Sequence, residues 1–359
     1  MKISFVTSTL HSGGSERVMA LLANSLSERG YDVEIICINK HVVFYPIQEN
    51  VRISFAEDEV GKSYLKKTKW LRNHIKTEKP DVVIAFMLEV YCMTLFALMG
   101  VDIPVISSER IDPHFFGKAK GFMRWVLLRR TTHLVVQTQK IKSFYSKALQ
   151  KRTTIIPNPV TDKVFSLSPA VKEDRLIAVG RLAYQKNYPM MFEAFKRLMD
   201  VFPSYSLVIY GDGPRRQSLQ LIIENLQLKD RVVLAGKTEK VIEEMNKSRA
   251  FLMTSDFEGM SNAMLEALCV GLPIITTEVS GARDLVEDGV NGFVTKQRDV
   301  EEFTKAIRKV LSDKELMERM EADNKNKAKE YQKDHIVDQW ESLIHQIVKN
   351  HVRNLWRHR

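Results

Sequence analysis

The order in which hydrophobic segments recur along this chain constrains its fold more than any other feature. Short runs rich in β-branched residues alternate with longer stretches of helical period from the first residue onward. KISFVTS is followed by a helix predicted over about Ser15 to Arg29, then DVEIICI, VRISFA, a basic helix near 62–78, DVVIAFM, PVISSE, a second basic helix near 117–130, and HLVVQT, with TTIIPNPV closing the half. Strands separated by helices need crossover connections, so they pair in parallel and carry helices on both faces. The pattern then begins afresh with RLIAVGRL, SLVIYGDG, RVVLAG, RAFLMTS, LPIITTE and GFVTK.

The expected fold is α/β, with two Rossmann-like doubly wound domains facing a cleft, and a length of 359 residues suits two ordinary cores. Pro157, Pro159 and Pro169 in polar surroundings make 157–173 the candidate linker. The expected domains are 1–160 and 173–335, followed by a basic amphipathic helix over 336–359. That helix carries Ile336, Trp340, Leu343, Ile344, Ile347 and Val348 at helical spacing, a stripe that must dock and is expected to cross back to the N-terminal domain.

With 44% hydrophobic and 27% charged residues, the chain is neither disordered nor fibrous. Cys37, Cys92 and Cys269 lie far apart, form no CxxC pair and read as free thiols of a reducing cytoplasm. The opening MKISFVTSTLHSGGSE reads as a first strand rather than a secretion signal. Residues 82–101 are long enough to span a bilayer, but Glu89 near the middle favours a buried strand followed by a buried helix. A net charge of +10 calls for a use, and nucleic acid, an anionic membrane and a phosphorylated substrate are the usual three.

Chemistry concentrates in DFEGMSNAMLEALCVGLPIITTE. Glu258 and Glu266 stand eight positions apart around a small-residue turn that opens a helix. Gly259, Met260, Ser261 and Asn262 would present backbone N–H groups, with a positive helix end behind them, to a diphosphate. Glu266, about two turns into the helix, and Glu258, just before it, could accept hydrogen bonds from hydroxyls on either side of that seat. For an isolated pair of glutamates a turn residue and a solvated helix position would be the simpler reading, but the apolar surroundings of Glu266 in AMLEALCVGLP weigh against it. A second block, VGRLAYQKN, ends a strand at Gly180 and places Arg181 and Lys186 beyond it, where open sheets bind ligands.

These two blocks resemble the G-R-L-x-x-x-K-N and E-G-x-x-N-x-x-x-E-A signatures of the retaining glycosyltransferase family 4, which has the GT-B fold. The resemblance runs through YGDGPRR, Gly236 and SGARDLVEDGVNGF, and more weakly through STLHSGGSERV and PDVVIAF. It implies that Arg181 and Lys186 hold the donor phosphates, Glu266 the ribose and Glu258 the transferred sugar. Arg181, Lys186 and Glu258 are therefore the candidate catalytic residues. Met260, Ser261 and Asn262 would supply backbone contacts, and Gly180, Gly211, Gly236 and Gly259 belong to the same donor-binding set. Gly13 and Gly14, between the first strand and its helix, would let the backbone approach a ligand across the cleft.

Many relatives carry a histidine after the fourth-strand motif, where this chain reads ISSERIDPH. Members that build surface polysaccharides look similar to this form. Glu109, Arg110 and His114 are thus candidates on the acceptor side, while His11 and His133 read as structural or incidental. No DxD motif occurs; Glu57-Asp58-Glu59 reads as a solvated loop, and neither a metal nor a cofactor is expected. The resemblance implies a metal-independent transfer that keeps the donor's anomeric configuration.

Basic residues alternate with Trp70 in KSYLKKTKWLRNHIK and with Phe122 and Trp125 in GKAKGFMRWVLLRR, a pattern shared by ordinary solvated helices and by helices that lie on anionic membranes. Lys118, Lys120, Arg124, Arg129 and Arg130 are expected to form a positive surface for the acceptor. The expected substrates are a nucleotide-sugar donor, matched best by UDP with an N-acetylhexosamine such as GalNAc, and a glycan or polyprenyl-diphosphate-linked acceptor. The expected location is cytoplasmic, on the inner face of the cell membrane. A nucleotide-sugar epimerase on the same fold is the alternative enzyme. A basic nucleic-acid-binding protein fits less well, because no motif of that class is present.

Overall fold

The computed structural model describes residues 1–11, 13–115 and 117–357. The chain divides into two compact units, Met1–Pro159 with Asp334–Arg359, and Val160–Lys333.

The first unit holds β1 (Lys2–Thr7), β2 (Asp32–Cys37), β3 (Arg52–Phe55), β4 (Val82–Phe86), β5 (Val105–Ser108), β6 (His133–Val136) and β7 (Thr153–Ile155). They form one parallel sheet in the order β3-β2-β1-β4-β5-β6-β7. In the second unit β8 (Arg175–Val179), β9 (Ser206–Tyr210), β10 (Val232–Gly236), β11 (Ala250–Met253), β12 (Ile274–Thr277) and β13 (Gly292–Thr295) pair in parallel as β10-β9-β8-β11-β12-β13. Each predicted strand is present and in place. In both sheets the winding direction reverses beside the unit's first strand, between β1 and β4 and between β8 and β11.

The 82–101 segment is a strand and a helix, Leu88–Ala97, both almost wholly buried apart from exposed Glu89 and Phe96. Covering a parallel sheet on both faces demands such continuous apolar sequence. Among the described residues no helix is long and apolar enough to cross a membrane.

The last helix, Lys333–Arg357, buries Ile336, Trp340, Leu343, Ile344 and Ile347 in one cluster with Ile3, Phe5, Val33 and Ile84 of the first unit. Each large apolar side chain removed from water in this way contributes roughly 1.5–3 kcal/mol. Arg29, which caps the first unit's opening helix, and Tyr31 just beyond it bond Glu341 of the last helix. Of the predicted 336–359 helix, the last two residues lie outside the described set. Earlier in the chain, Val160 and Val164 are buried in the second unit's core, and Val160 bridges to Gln332.

One local expectation is corrected. Glu57-Asp58-Glu59 is not a solvated loop but the short helix Ala56–Val60. Acids suit a first helical turn, and Glu57 accepts from Lys67 Nζ at 2.9 Å, which neutralises a lysine only 4% exposed. The basic segment near 62–78, a helix at Tyr64–Glu78, likewise turns part of its charged and aromatic pattern inward: Lys67 is buried, and half-buried Trp70 stacks on His74, which bonds Glu34.

Candidate active site

The two motif blocks come together because β8 and β11 are neighbours at the reversal of the second sheet, where the ends of adjacent strands open a crevice. Gly180 and Arg181 leave β8, and 254–258 leave β11. Lys186 Nζ donates to Glu258 Oε1 at 2.6 Å, with both side chains only 12–14% exposed. Ser255 Oγ donates to the same carboxylate oxygen at 2.8 Å. Arg181, which follows Gly180 in the chain, is exposed, with no ion-pair partner among the described residues.

The surrounding backbone is tied down between the two strand ends. Asp256 N–H donates to the Gln185 carbonyl and Gln185 Nε2 to the Phe257 carbonyl, while Thr254 Oγ1 bonds the carbonyls of Lys186 and Asn187. Asn187 adopts a left-handed conformation with φ 45° immediately before the helix Tyr188–Lys196. Thr254, Ser255, Gln185 and Asn187 escaped the sequence reading. Their only signal was a pair of small polar residues after a buried strand and a Lys-Asn step, which many loops contain.

Gly180 leaves room for the end of the Lys186 side chain. A Cβ there would lie 2.8 Å from Lys186 Cε and 3.2 Å from the Tyr188 hydroxyl, so a side chain would displace the lysine from Glu258. Gly211 is held at φ 141°, where a Cβ would fall 2.0 Å from the Gly180 carbonyl oxygen. Gly236, at φ 81°, reaches the site only through its carbonyl, which accepts the Gly211 N–H.

The helix after β11 is Asn262–Val270, capped by Ser261, whose hydroxyl accepts from Met264 N–H. The first turn carries the positive end of the helix dipole. Gly259 and Met260 precede it, buried. Glu266 is 5% exposed, so it is not a solvated position. Because the helix starts at Asn262, Glu266 lies little more than one turn in, rather than two. The arrangement offers cations and a helix end for a diphosphate, with two carboxylates for hydroxyls. Among the described residues no three His, Cys, Asp or Glu side chains converge as a metal-ligand set.

The first unit distributes its candidates differently. Gly13 caps the helix Gly14–Glu28, and the Glu16 carboxylate folds over it, 2.1 Å from where a Cβ would stand. Glu109 is fully buried and accepts the hydroxyls of Tyr91 at 2.7 Å and Tyr145 at 3.1 Å. Burial raises its pKa, against the pull of those hydroxyls and of Arg124. Arg110 is also buried, over Phe86 at 4.4 Å and bonded to Asn158, and burial pushes its pKa down to about 9. His114 is exposed, with Nδ1 at 2.8 Å from Asp112.

The basic helix is Lys118–Leu127, continued by a tighter turn at Leu128–Arg130. Lys118, Lys120, Arg129 and Arg130 are exposed, and Lys120 pairs with Glu89 at 2.6 Å. The expectation for Arg124 is corrected: it is 4% exposed, lies 3.8 Å from Glu109 and packs over Phe144. It faces inward because a fully buried carboxylate needs a cation more than the surface does. Phe122, Trp125 and Val126 are exposed beside the remaining cations.

Residues 160–327 match the family described as "Glycosyl transferases group 1", and residues 12–164 match "Glycosyltransferase Family 4". A Campylobacter jejuni protein, "GalNAc-alpha-(1->4)-GalNAc-alpha-(1->3)-diNAcBac-PP-undecaprenol alpha-1,4-N-acetyl-D-galactosaminyltransferase", is 29% identical over 97% of this chain and 99% of its own length. A second from that organism, "N-acetylgalactosamine-N,N'-diacetylbacillosaminyl-diphospho-undecaprenol 4-alpha-N-acetylgalactosaminyltransferase", is 26% identical over 92% of this chain and 96% of its own. Among solved structures, Anabaena HepE in complex with UDP superimposes with a TM-score of 0.85 at 18% identity, over 96% of this chain and all of that one. With both halves matched in sequence, the architecture shared and the motif blocks joined at one strand reversal, this chain belongs to the family 4 glycosyltransferases of GT-B fold.

Proposed function

We propose that the chain is a retaining, metal-independent transferase that moves an N-acetylhexosamine, matched best by GalNAc, from UDP to a polyprenyl-diphosphate-linked glycan at the inner face of the membrane. The observation that carries the reading is the Lys186–Glu258 pair, which joins the segment of Arg181 to the one that opens the Asn262–Val270 helix. Breaking the bond from the sugar's anomeric carbon to the diphosphate loads negative charge on the leaving oxygens, and preorganised cations at that spot lower the barrier. The acceptor hydroxyl attacks on the face the diphosphate leaves; its oxygen bonds the anomeric carbon and its proton passes to the departing phosphate oxygen. Glu266 and Glu258 hold hydroxyls of the ribose and the sugar. The acceptor class is supported by the two Campylobacter relatives, whose names specify undecaprenyl diphosphate acceptors.

The test incubates the full chain with radiolabelled UDP-GalNAc and a lipid-linked oligosaccharide, with and without excess chelator. Label should move to the lipid fraction with equimolar UDP release and α linkage, undiminished by chelation. Label that stays on the nucleotide as another sugar would establish an epimerase, and metal-restorable loss of transfer would end the metal-independent reading.

A further inference from the structure

Under the basic helix of the first unit lies a cavity of about 650 Å³ that the donor chemistry does not use. Its walls are apolar, formed by Trp125 and Leu128 on one side and Phe144, Tyr145 and Leu149 on the other. No aspartate or glutamate lines it; besides Arg124, which serves Glu109, Arg129 and Arg152 do. Arg152 donates to the carbonyls of Thr131, Leu128 and Arg129, and Arg129 lies 3.8 Å over the Trp125 ring. Neither guanidinium has a carboxylate partner among the described residues. Apolar side chains continue out of the cavity onto the surface, where Trp125 is 53% and Phe122 67% exposed. A sugar or a nucleotide would leave these walls unmatched. The complementary ligand has a long apolar body and an anionic end.

We propose that this cavity takes the first isoprene units of the acceptor's polyprenyl chain, drawn out of the bilayer past Trp125, with the diphosphate at Arg129 and Arg152. The proposal rests on the lipid-linked-acceptor reading and goes beyond it by giving the lipid chain its own pocket. A chain held this way fixes where the glycan starts relative to the protein, so lipid length enters recognition as well as membrane attachment.

The test fills the cavity. Gly121 lines it within the helix, and a Cβ there meets nothing within 4 Å, so Gly121→Leu adds bulk without a backbone clash and favours the helix. Ala148→Trp does the same from the exposed opposite wall. Both variants are checked for wild-type thermal unfolding, and kcat/KM is compared for two acceptors that share one glycan diphosphate but carry a long or a short prenyl chain. Wild type should favour the long chain by about tenfold or more, the worth of burying a few methylene groups. In the filled variants the preference should fall to about twofold or less.

A preference that persists in both folded variants would overturn the proposal. So would loss of binding to acceptor-free phosphatidylglycerol vesicles with the preference intact, which would assign the cavity to a phospholipid chain. A wild type that uses lipid-linked acceptors of either length equally well removes the pocket alone. A wild type that transfers only to water-soluble glycans removes the acceptor reading and the pocket together.

Discussion

Lys186 has one carboxylate partner among the described residues and would have a competing one, the donor diphosphate, during turnover. Its 2.6 Å bond to Glu258 keeps a nearly buried charge satisfied while the site waits, and Arg181 is exposed. Arg181→Ala and Lys186→Ala should each lower kcat by roughly 10² or more while leaving the fold intact, the usual cost of removing a group that stabilises a developing anion. Lys186→Arg should rescue little, because the lysine stem threads over Gly180 where a Cβ already has no room. Initial rates of UDP release check both statements, and near-wild-type rates in both alanine variants would remove the assignment. The placing of Arg181 and Lys186 beyond a strand end was legible in the sequence, whereas their roles came from the resemblance, since two cations after a strand mean little alone. The placing of Arg124 was not: helical spacing put it with the surface cations, and only the fold brings Glu109 beneath it.

At the scale of elements, the strands could be read directly, since parallel strands covered on both faces are continuous apolar runs bounded by turns. The short helix Ala56–Val60 could not, because its reason lies in a buried lysine on the next helix. His133, read as structural, opens β6 and has its Nε2 2.8 Å from Thr154 Oγ1 on β7. Burial, with smaller contributions from Lys142 and Arg152, pushes its pKa down to about 4 from an ordinary 6.5. The unfolded chain therefore binds the proton more tightly than the folded one. The stability held by the neutral ring is complete above pH 6.5 and declines as pH falls towards 4. Allowing for partial exposure, the loss is on the order of 1–2 kcal/mol. Thermal unfolding of wild type between pH 7 and pH 4 should show this decline, and His133→Gln should flatten it; parallel curves would show that other groups govern the range.

For the molecule as a whole, the charge of +10 is partly spent inside, on Lys67 and Arg124, and partly displayed on Lys118, Arg129 and Arg130. Near an anionic bilayer each displayed cation is worth about 1 kcal/mol, so replacing these three with alanine should weaken binding to phosphatidylglycerol vesicles by roughly 10² at low salt. Arg124→Ala should instead lower the unfolding temperature, since it strands the buried Glu109. Co-sedimentation and calorimetry separate the two effects, and equal vesicle binding by the triple variant would show the basic face to be merely solvated. The helix Lys333–Arg357 has a consequence for synthesis. A ribosome delivers the first unit's β-strands early, but the side chains that close over them, Trp340 foremost, arrive only after the whole second unit has been made. The nascent first unit must therefore wait with one flank of its core uncovered, while the second can fold as it emerges. A chain cut after Lys333 should lose protease resistance in 1–159 and keep it in 160–333, so that quality control would recognise a truncated product by its beginning.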